Sequence, residues 1–179
     1  MLFSIPSTEN LPISYTVYPA PEHVETAPVV IFVHGFKGFK DWGSFPMACK
    51  TLADLGLNVV AVNLSRNGVG NRPTDFDRLD LFADATLSQD QNDIGSVVEA
   101  IKSGKIKAKD LPMNGALGII GHSRGGHSAV AAAADYTDIQ TVVTWASVDD
   151  YMERWSDSAK MDWEEKGYTD ILNGRTKQI

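Results

Sequence analysis

Short apolar runs and longer stretches of helical period alternate along most of the chain. Two strand-like runs open it, Leu2–Ile5 and Ile13–Tyr18, with the polar turn Ser7-Thr8-Glu9-Asn10 between them. That pattern predicts a β-hairpin. Pro19, Pro21 and Pro28 then bracket a loop. From Val29 four apolar runs follow: Val29–Val33, Asn58–Leu64, Ala116–Ile120 and Thr141–Ala146. Between them lie three helical stretches. Trp42–Leu55 sets Met47, Leu52 and Leu55 on one side, with Gly56 as a stop. Gln91–Ser103 spaces Ile94, Val97, Val98 and Ile101 at helical period. Gly125–Tyr136 is rich in small residues.

The four runs are β-branched and do not alternate with polar positions, as expected of strands covered on both faces. Strands of that kind separated by helices predict an α/β domain with a mostly parallel sheet, preceded by the antiparallel hairpin. Ligands of such sheets sit beyond the carboxyl ends of the strands. The positions that matter for chemistry therefore follow Val33, Leu64, Ile120 and Ala146.

After the third run comes Gly121-His122-Ser123-Arg124-Gly125-Gly126, a G-x-S-x-G match. A serine on a sharp strand-to-helix turn takes a strained backbone conformation that lifts its hydroxyl above the sheet. The chain then passes so close that residues two positions either side must be tiny, hence Gly121 and Gly125. Gly126 lets the helix pack tightly on the strand. The motif alone is weak, because glycine and serine are common; here a strand precedes it and a helix follows. The competing reading is an ordinary turn with Ser123 as a helix cap.

After the first parallel run stands His34-Gly35-Phe36-Lys37-Gly38. With both segments in place, the chain resembles the α/β-hydrolase superfamily, where H-G-x follows strand three and G-x-S-x-G follows strand five. Ser65-Arg66-Asn67-Gly68-Val69-Gly70 narrows the likeness to the dienelactone-hydrolase and serine-aminopeptidase-like branch, although a glycine-rich surface turn also explains it. The resemblance implies Ser123 as nucleophile and the backbone N–H groups of Phe36 and Arg124 as the oxyanion hole. Such donors stabilise the charge of the tetrahedral intermediate, and losing one typically costs ~10²–10³ in turnover. It makes His34 and Gly35 structural supports of the loop. His122 is expected to point away from Ser123, His127 to lie along the helix out of reach, and His23 to face solvent.

The resemblance covers the chain to about Val148, giving a core over 1–148 and the start of a lid or helical segment over 149–179. Family members continue with strand seven and an acid, then strand eight and a histidine. No histidine follows His127, so the resemblance implies that the acid and the base lie beyond residue 179. Asp149 or Asp150 is a candidate acid; a helix cap is the plainer reading. Without a base a serine hydroxyl is a poor nucleophile. Removing the base of a triad costs on the order of 10⁶ in turnover. Truncation would also leave the Thr141–Ala146 strand as an apolar, unpaired edge. Trp155, Trp163, Met152 and Met161 suit either a lid or a helix packed on its own domain.

Composition narrows the partners. The 179 residues are 43% hydrophobic and 22% charged, ordinary for a globular protein. A formal charge of −7 argues against binding nucleic acid. Lys102, Lys105, Lys107 and Lys109 read as the solvated end of a helix and a loop. No run is long enough for a membrane span, and Met1–Pro6 lacks the basic start of a secretory signal, so a cytoplasmic location is the default. The single cysteine, Cys49, excludes an internal disulfide and a cysteine-based metal site. No cofactor or metal is called for, and nothing resembles a phosphate loop. The expected function is hydrolysis of a small ester or short peptide. A catalytically silent binding module is the alternative, and a base supplied in trans by a partner chain is a third reading.

Overall fold

The computed structural model of the protein describes residues 3–106 and 113–172. It divides into two compact units, Met1–Ser147 and Val148–Ile179. The larger unit is built on six strands: β1 (Phe3–Pro6), β2 (Pro12–Tyr18), β3 (Ala27–Val33), β4 (Asn58–Asn63), β5 (Met113–His122) and β6 (Ile139–Trp145). They lie in the order β1-β2-β4-β3-β5-β6. β1 and β2 form the expected hairpin, with Phe3 opposite Tyr15 and Pro6 opposite Pro12. Ser7 shapes its turn by accepting the Glu9 and Leu11 N–H groups at 3.2 and 3.1 Å. β2 runs antiparallel to β4, and β4, β3, β5 and β6 are mutually parallel.

Strand alternation sends side chains to two cores. Ile31, Val33, Val60, Val62 and Ile119 pack against α3 (Leu87–Lys102) and α4 (Arg124–Asp135) through Ile94, Val97, Val98, Ala129 and Ala132. On the other face Phe32, Val59 and Ala61 meet Phe45 and Cys49 of α1 (Phe45–Asp54). The face expected for α1 is corrected here. Met47 and Leu55 are 69% and 76% exposed, and the buried stripe is Phe45, Cys49 and Ala53, with Leu52 half-buried beside it. α3 starts four residues before the expected Gln91, because Thr86 and Gln89 form a reciprocal capping box. α4 can lie close to α3 because a Cβ on Gly95 would sit 2.1 Å from the Tyr136 hydroxyl.

The end of β5 alternates between buried Leu117, Ile119 and Gly121 and half-buried Gly118, Ile120 and His122, while β3 and β4 are buried as the uninterrupted apolar runs require. β6 is not: apart from Ile139 it is exposed or half-buried, and Val143 is 47% exposed. It has β5 on one side and no strand on the other among the described residues, so it is an edge rather than an interior strand.

The smaller unit contains α5 (Asp157–Lys166), capped by the Ser156 hydroxyl and ended by Gly167 in the left-handed conformation. Trp155 packs on Trp163 with ring centroids 4.6 Å apart, while Met152 and Met161 are exposed. No helix among the described residues is long and apolar enough to cross a membrane. Of the lysine group, Lys102 ends α3 and pairs with Glu99 and Asp138; Lys107 and Lys109 lie outside the described residues.

Candidate active site

Ser123 joins β5 to α4 with φ 54° and ψ −118°, a conformation that L-residues adopt only under constraint. The constraint is backbone crowding. A Cβ on Gly121 would meet the Gly125 carbonyl oxygen at 2.0 Å, and one on Gly125 would meet the His34 carbonyl oxygen at 2.3 Å. A Cβ on Gly126 would sit 2.6 Å from Ser147 Oγ. No side chain fits at Gly121 or Gly125, where the opposing atoms are backbone, and at Gly126 the Ser147 side chain would have to move. Although Ser123 stands at the N-cap of α4, its side chain makes no capping bond. The hydroxyl is therefore not committed to the helix.

The segment after β3 lies against this turn. A Cβ on Gly35 would come within 3.0 Å of both Ser123 Cβ and His122 Nδ1. Gly38 donates to the Gly35 carbonyl at 3.0 Å, and Lys37 carries φ 54°, so the loop is a tight turn. The Phe36 ring faces the Arg124 guanidinium at 5.8 Å and the Phe82 ring at 5.4 Å. Phe36 and Arg124, the two expected donors, are thus neighbours across the loop and the helix.

His34 is buried and fully engaged. Its Nε2 accepts the Leu64 N–H at 3.3 Å and its Nδ1 donates to the Gly35 carbonyl at 2.9 Å. Burial pushes its pKa down to about 4, against a smaller upward pull from Gly35. A ring held neutral with its one lone pair occupied ties the end of β4 to the loop.

Two buried carboxylates of α3 were invisible as site residues in the sequence. Asp90 Oδ2 receives Arg124 Nε at 2.7 Å and Ser128 Oγ at 3.2 Å. Burial raises its pKa, and the Arg124 charge is the main force opposing this. Asp93 accepts the Ser65 N–H at 2.6 Å, and burial pushes its pKa up to about 6. A signal existed: Asp90 and Asp93 continue the Ile94–Val97–Ile101 stripe by one helical turn, where a charged residue has to be paired. Asn63 and Asn67 also hold the loops. Asn63 accepts the Lys40 N–H at 2.7 Å, while Asn67 reaches the Gly38 carbonyl at 3.4 Å and accepts the Val69 N–H at 3.1 Å.

The Ser65–Gly70 segment continues to Arg78 and into the short helix α2 (Leu79–Ala83), which was not foreseen. Asp77 closes it by accepting the Gly70 and Arg72 N–H groups at 2.6 and 3.2 Å. Between this segment and the His34–Gly38 loop is a cavity of about 20 Å³, walled by Phe36, Leu64, Arg66, Asn67, Phe82, Asp90 and Arg124. It has room for little more than one water, and Ser123 is not among its walls.

The remaining candidates fall elsewhere. His122 packs between Phe45 and Trp145, with centroids at 5.1 and 5.2 Å, and its buried Nδ1 has no hydrogen-bond partner among the described residues. His23 is exposed, and His127 lies one turn along α4. Asp149 and Asp150 are exposed residues of the smaller unit, and Asp150 caps a turn by accepting the Met152 and Glu153 N–H groups.

No family model matches the chain, and no curated protein matches it by sequence. Solved structures do match. Est1E of Butyrivibrio proteoclasticus, in a structure with ferulic acid bound, is 23% identical with a TM-score of 0.62, over 78% of this chain and 50% of that one. The α/β hydrolase GrgF of Penicillium sp. sh18 is 19% identical with a TM-score of 0.67, over 100% of this chain and 60% of that one. A dienelactone hydrolase of Anabaena variabilis is 17% identical with a TM-score of 0.60, over 82% and 62%. The chain thus spans about half the length of Est1E and about three fifths of the other two. With its mostly parallel sheet, its antiparallel hairpin and its strained serine turn after β5, the chain has the α/β-hydrolase fold.

Proposed function

We propose that the protein is a serine hydrolase that cleaves a carboxylic ester, or a short peptide bond, through an acyl-enzyme on Ser123. The observation that carries this is the Ser123 turn: a strained backbone at the carboxyl end of the sheet, with a hydroxyl free of any capping bond. Ser123 Oγ attacks the carbonyl carbon and gives its proton to a base. The backbone N–H groups of Phe36 and Arg124 hold the oxyanion, and the alcohol leaves with the proton. Water then releases the acid by the same steps.

The reading takes its base from outside these residues. His34 has both nitrogens engaged, His122 is packed among aromatic rings and His23 is exposed. The acid that orients the base is drawn from the same place, with Asp149 and Asp150 as lesser candidates. Est1E holds an aromatic carboxylic acid, so aryl-acyl esters are sensible first substrates alongside p-nitrophenyl acetate.

The test is to react the full-length gene product with a fluorophosphonate probe and map the labelled peptide. Labelling at Ser123, abolished in Ser123→Ala, is the expected result; labelling elsewhere, or none, defeats the proposal. The engagement of both His34 nitrogens also fits the second reading, a binding module that keeps the fold without the chemistry. Ligand binding by a full-length product that the probe never labels would favour it.

A further inference from the structure

Resting on the serine-hydrolase reading, we infer that Asp90 is a positioning residue for the oxyanion hole, acting through the Arg124 side chain on the Phe36 loop. The two donors belong to segments far apart in sequence, so the shape of the hole is set by how the start of α4 sits against the loop after β3. Backbone contact of Gly125 with the His34 carbonyl fixes one side of that junction. Side chains fix the other. The Arg124 side chain is 12% exposed and that of Asp90 8%, with Nε and Oδ2 at 2.7 Å. Ser128, one turn along α4, supports the same carboxylate oxygen at 3.2 Å and lies 3.3 Å from the Arg124 carbonyl oxygen. Held there, the guanidinium faces the Phe36 ring at 5.8 Å, and Phe82 backs that ring at 5.4 Å. One carboxylate on α3 therefore anchors the side chain that links the two donor-bearing residues.

A buried ion pair is a weak source of net stability compared with apolar packing. Its use here is geometric. Preorganised donors lose effect when displaced from the point where charge develops, and a shift of ~1 Å in an active site can cost ~10²-fold. Releasing the guanidinium leaves both N–H groups present but lets the loop and the helix start drift apart.

The experiment compares wild type, Asp90→Ala, Asp90→Asn, Arg124→Met and the double variant Asp90→Ala/Arg124→Met in the full-length gene product. Rates on p-nitrophenyl acetate are divided by the active sites titrated with fluorophosphonate, so misfolded molecules are not counted. Asp90→Ala is expected to lower kcat per titrated site by ~10- to 100-fold, part of the ~10²–10³ for losing a donor outright, with KM changed less than about threefold. Ki for a trifluoromethyl ketone, which forms the oxyanion on Ser123, should rise by the same factor. Asp90→Asn should keep part of the activity. Arg124→Met should match Asp90→Ala, and the double variant should lose no more than either single one, because coupled residues are not additive. Unchanged kcat per titrated site and unchanged ketone binding in Asp90→Ala, or additive losses in the double variant, would overturn the inference. A wild type that is never labelled overturns the serine-hydrolase reading and this inference with it. A labelled wild type with an indifferent Asp90→Ala overturns this inference alone.

Discussion

Gly121→Ala tests the crowding at the Ser123 turn most directly. The added methyl would stand 2.0 Å from the Gly125 carbonyl oxygen, 2.4 Å from its carbon and 2.6 Å from Gly126 Cα. All three are backbone atoms, so no side chain can swing away. Since real Cβ atoms do not approach closer than 3.0 Å, the turn must open by at least 1.0 Å. Gly125 cannot retreat freely, because it is itself packed so close to β3 that a Cβ there would meet the His34 and Val33 carbonyl oxygens at 2.3 and 2.7 Å. Overpacking of this kind costs ~1–3 kcal/mol, occasionally more, and rigid contacts on both sides place Gly121→Ala at about 3 kcal/mol. At ~2–4 °C per kcal/mol the melting temperature should fall by roughly 6–12 °C. Gly118→Ala, three residues back on β5, is the control. There the nearest atom to the new methyl is the Thr141 carbonyl oxygen at an ordinary 3.5 Å, so the change should stay within about 1 kcal/mol. Thermal unfolding followed by circular dichroism reads both. A Gly121→Ala protein that melts within ~2 °C of wild type would refute the reasoning.

Other outcomes follow from burial and charge. The neutral His34 ring contributes stability that is whole above its unfolded pKa of 6.5 and is lost as pH falls towards about 4, up to ~3 kcal/mol at ~1.4 per unit. Urea midpoints should therefore show the gap between wild type and His34→Asn shrinking from pH ~7 to ~4. Asp93 has the opposite sign: with a folded pKa of about 6 against 3.8 unfolded, its charge penalises the fold above pH ~6, and the penalty lifts on acidification. Asp93→Asn should exceed wild type by about 1–2 kcal/mol at pH ~8 and lose that margin by pH ~4; equal midpoints throughout would contradict this. Cys49 is fully buried and its thiol is pushed up to about 12, mainly by desolvation, so iodoacetamide at pH ~8 should leave it unmodified until denaturant is added. Met47→Ala should shift stability by no more than about 0.5 kcal/mol, whereas Ile94→Ala, at a site with no exposure, should cost ~2–5 kcal/mol in the same unfolding measurement.

Legibility in the sequence followed the size and chemistry of the side chains. β3 and β4 announce themselves because covering on both faces makes their central positions, Val29–Val33 and Val59–Val62, all apolar, and α3 because Ile94, Val97, Val98 and Ile101 mark one stripe in large residues. α1 misled for the complementary reason. Its buried stripe includes the small Cys49 and Ala53, while Met47 and Leu55 stand in solvent, so counting bulky residues selects the wrong face. β6 reads like its neighbours, yet a strand's place in the sheet depends on what pairs with it, which its own residues do not encode. At the site, the spacing of Gly121, Gly125 and Gly126 marked the turn, because close backbone approach leaves glycine no substitute. Asp90 and Asp93 were hidden because acidic residues near a helix start look like solvated ones. Their one signal, that they extend the Ile94–Val97–Ile101 stripe by a turn, is faint beside that resemblance.

The contact of Gly125 with the His34 carbonyl joins positions 91 residues apart in the chain (125 − 34). The crowding of Gly121 on Gly125 is local, but the Gly125–His34 contact and the Ser123 N–H bond to the Trp145 carbonyl at 2.9 Å are not, so a peptide spanning residues 113–135 would lose part of what holds Ser123 at φ 54°. The strained turn is completed only when β3 and β5 have aligned in parallel, a non-local pairing of the kind that forms slowly. Nascent or partly unfolded chains therefore lack the strained turn, which is complete only once the central sheet has closed around it.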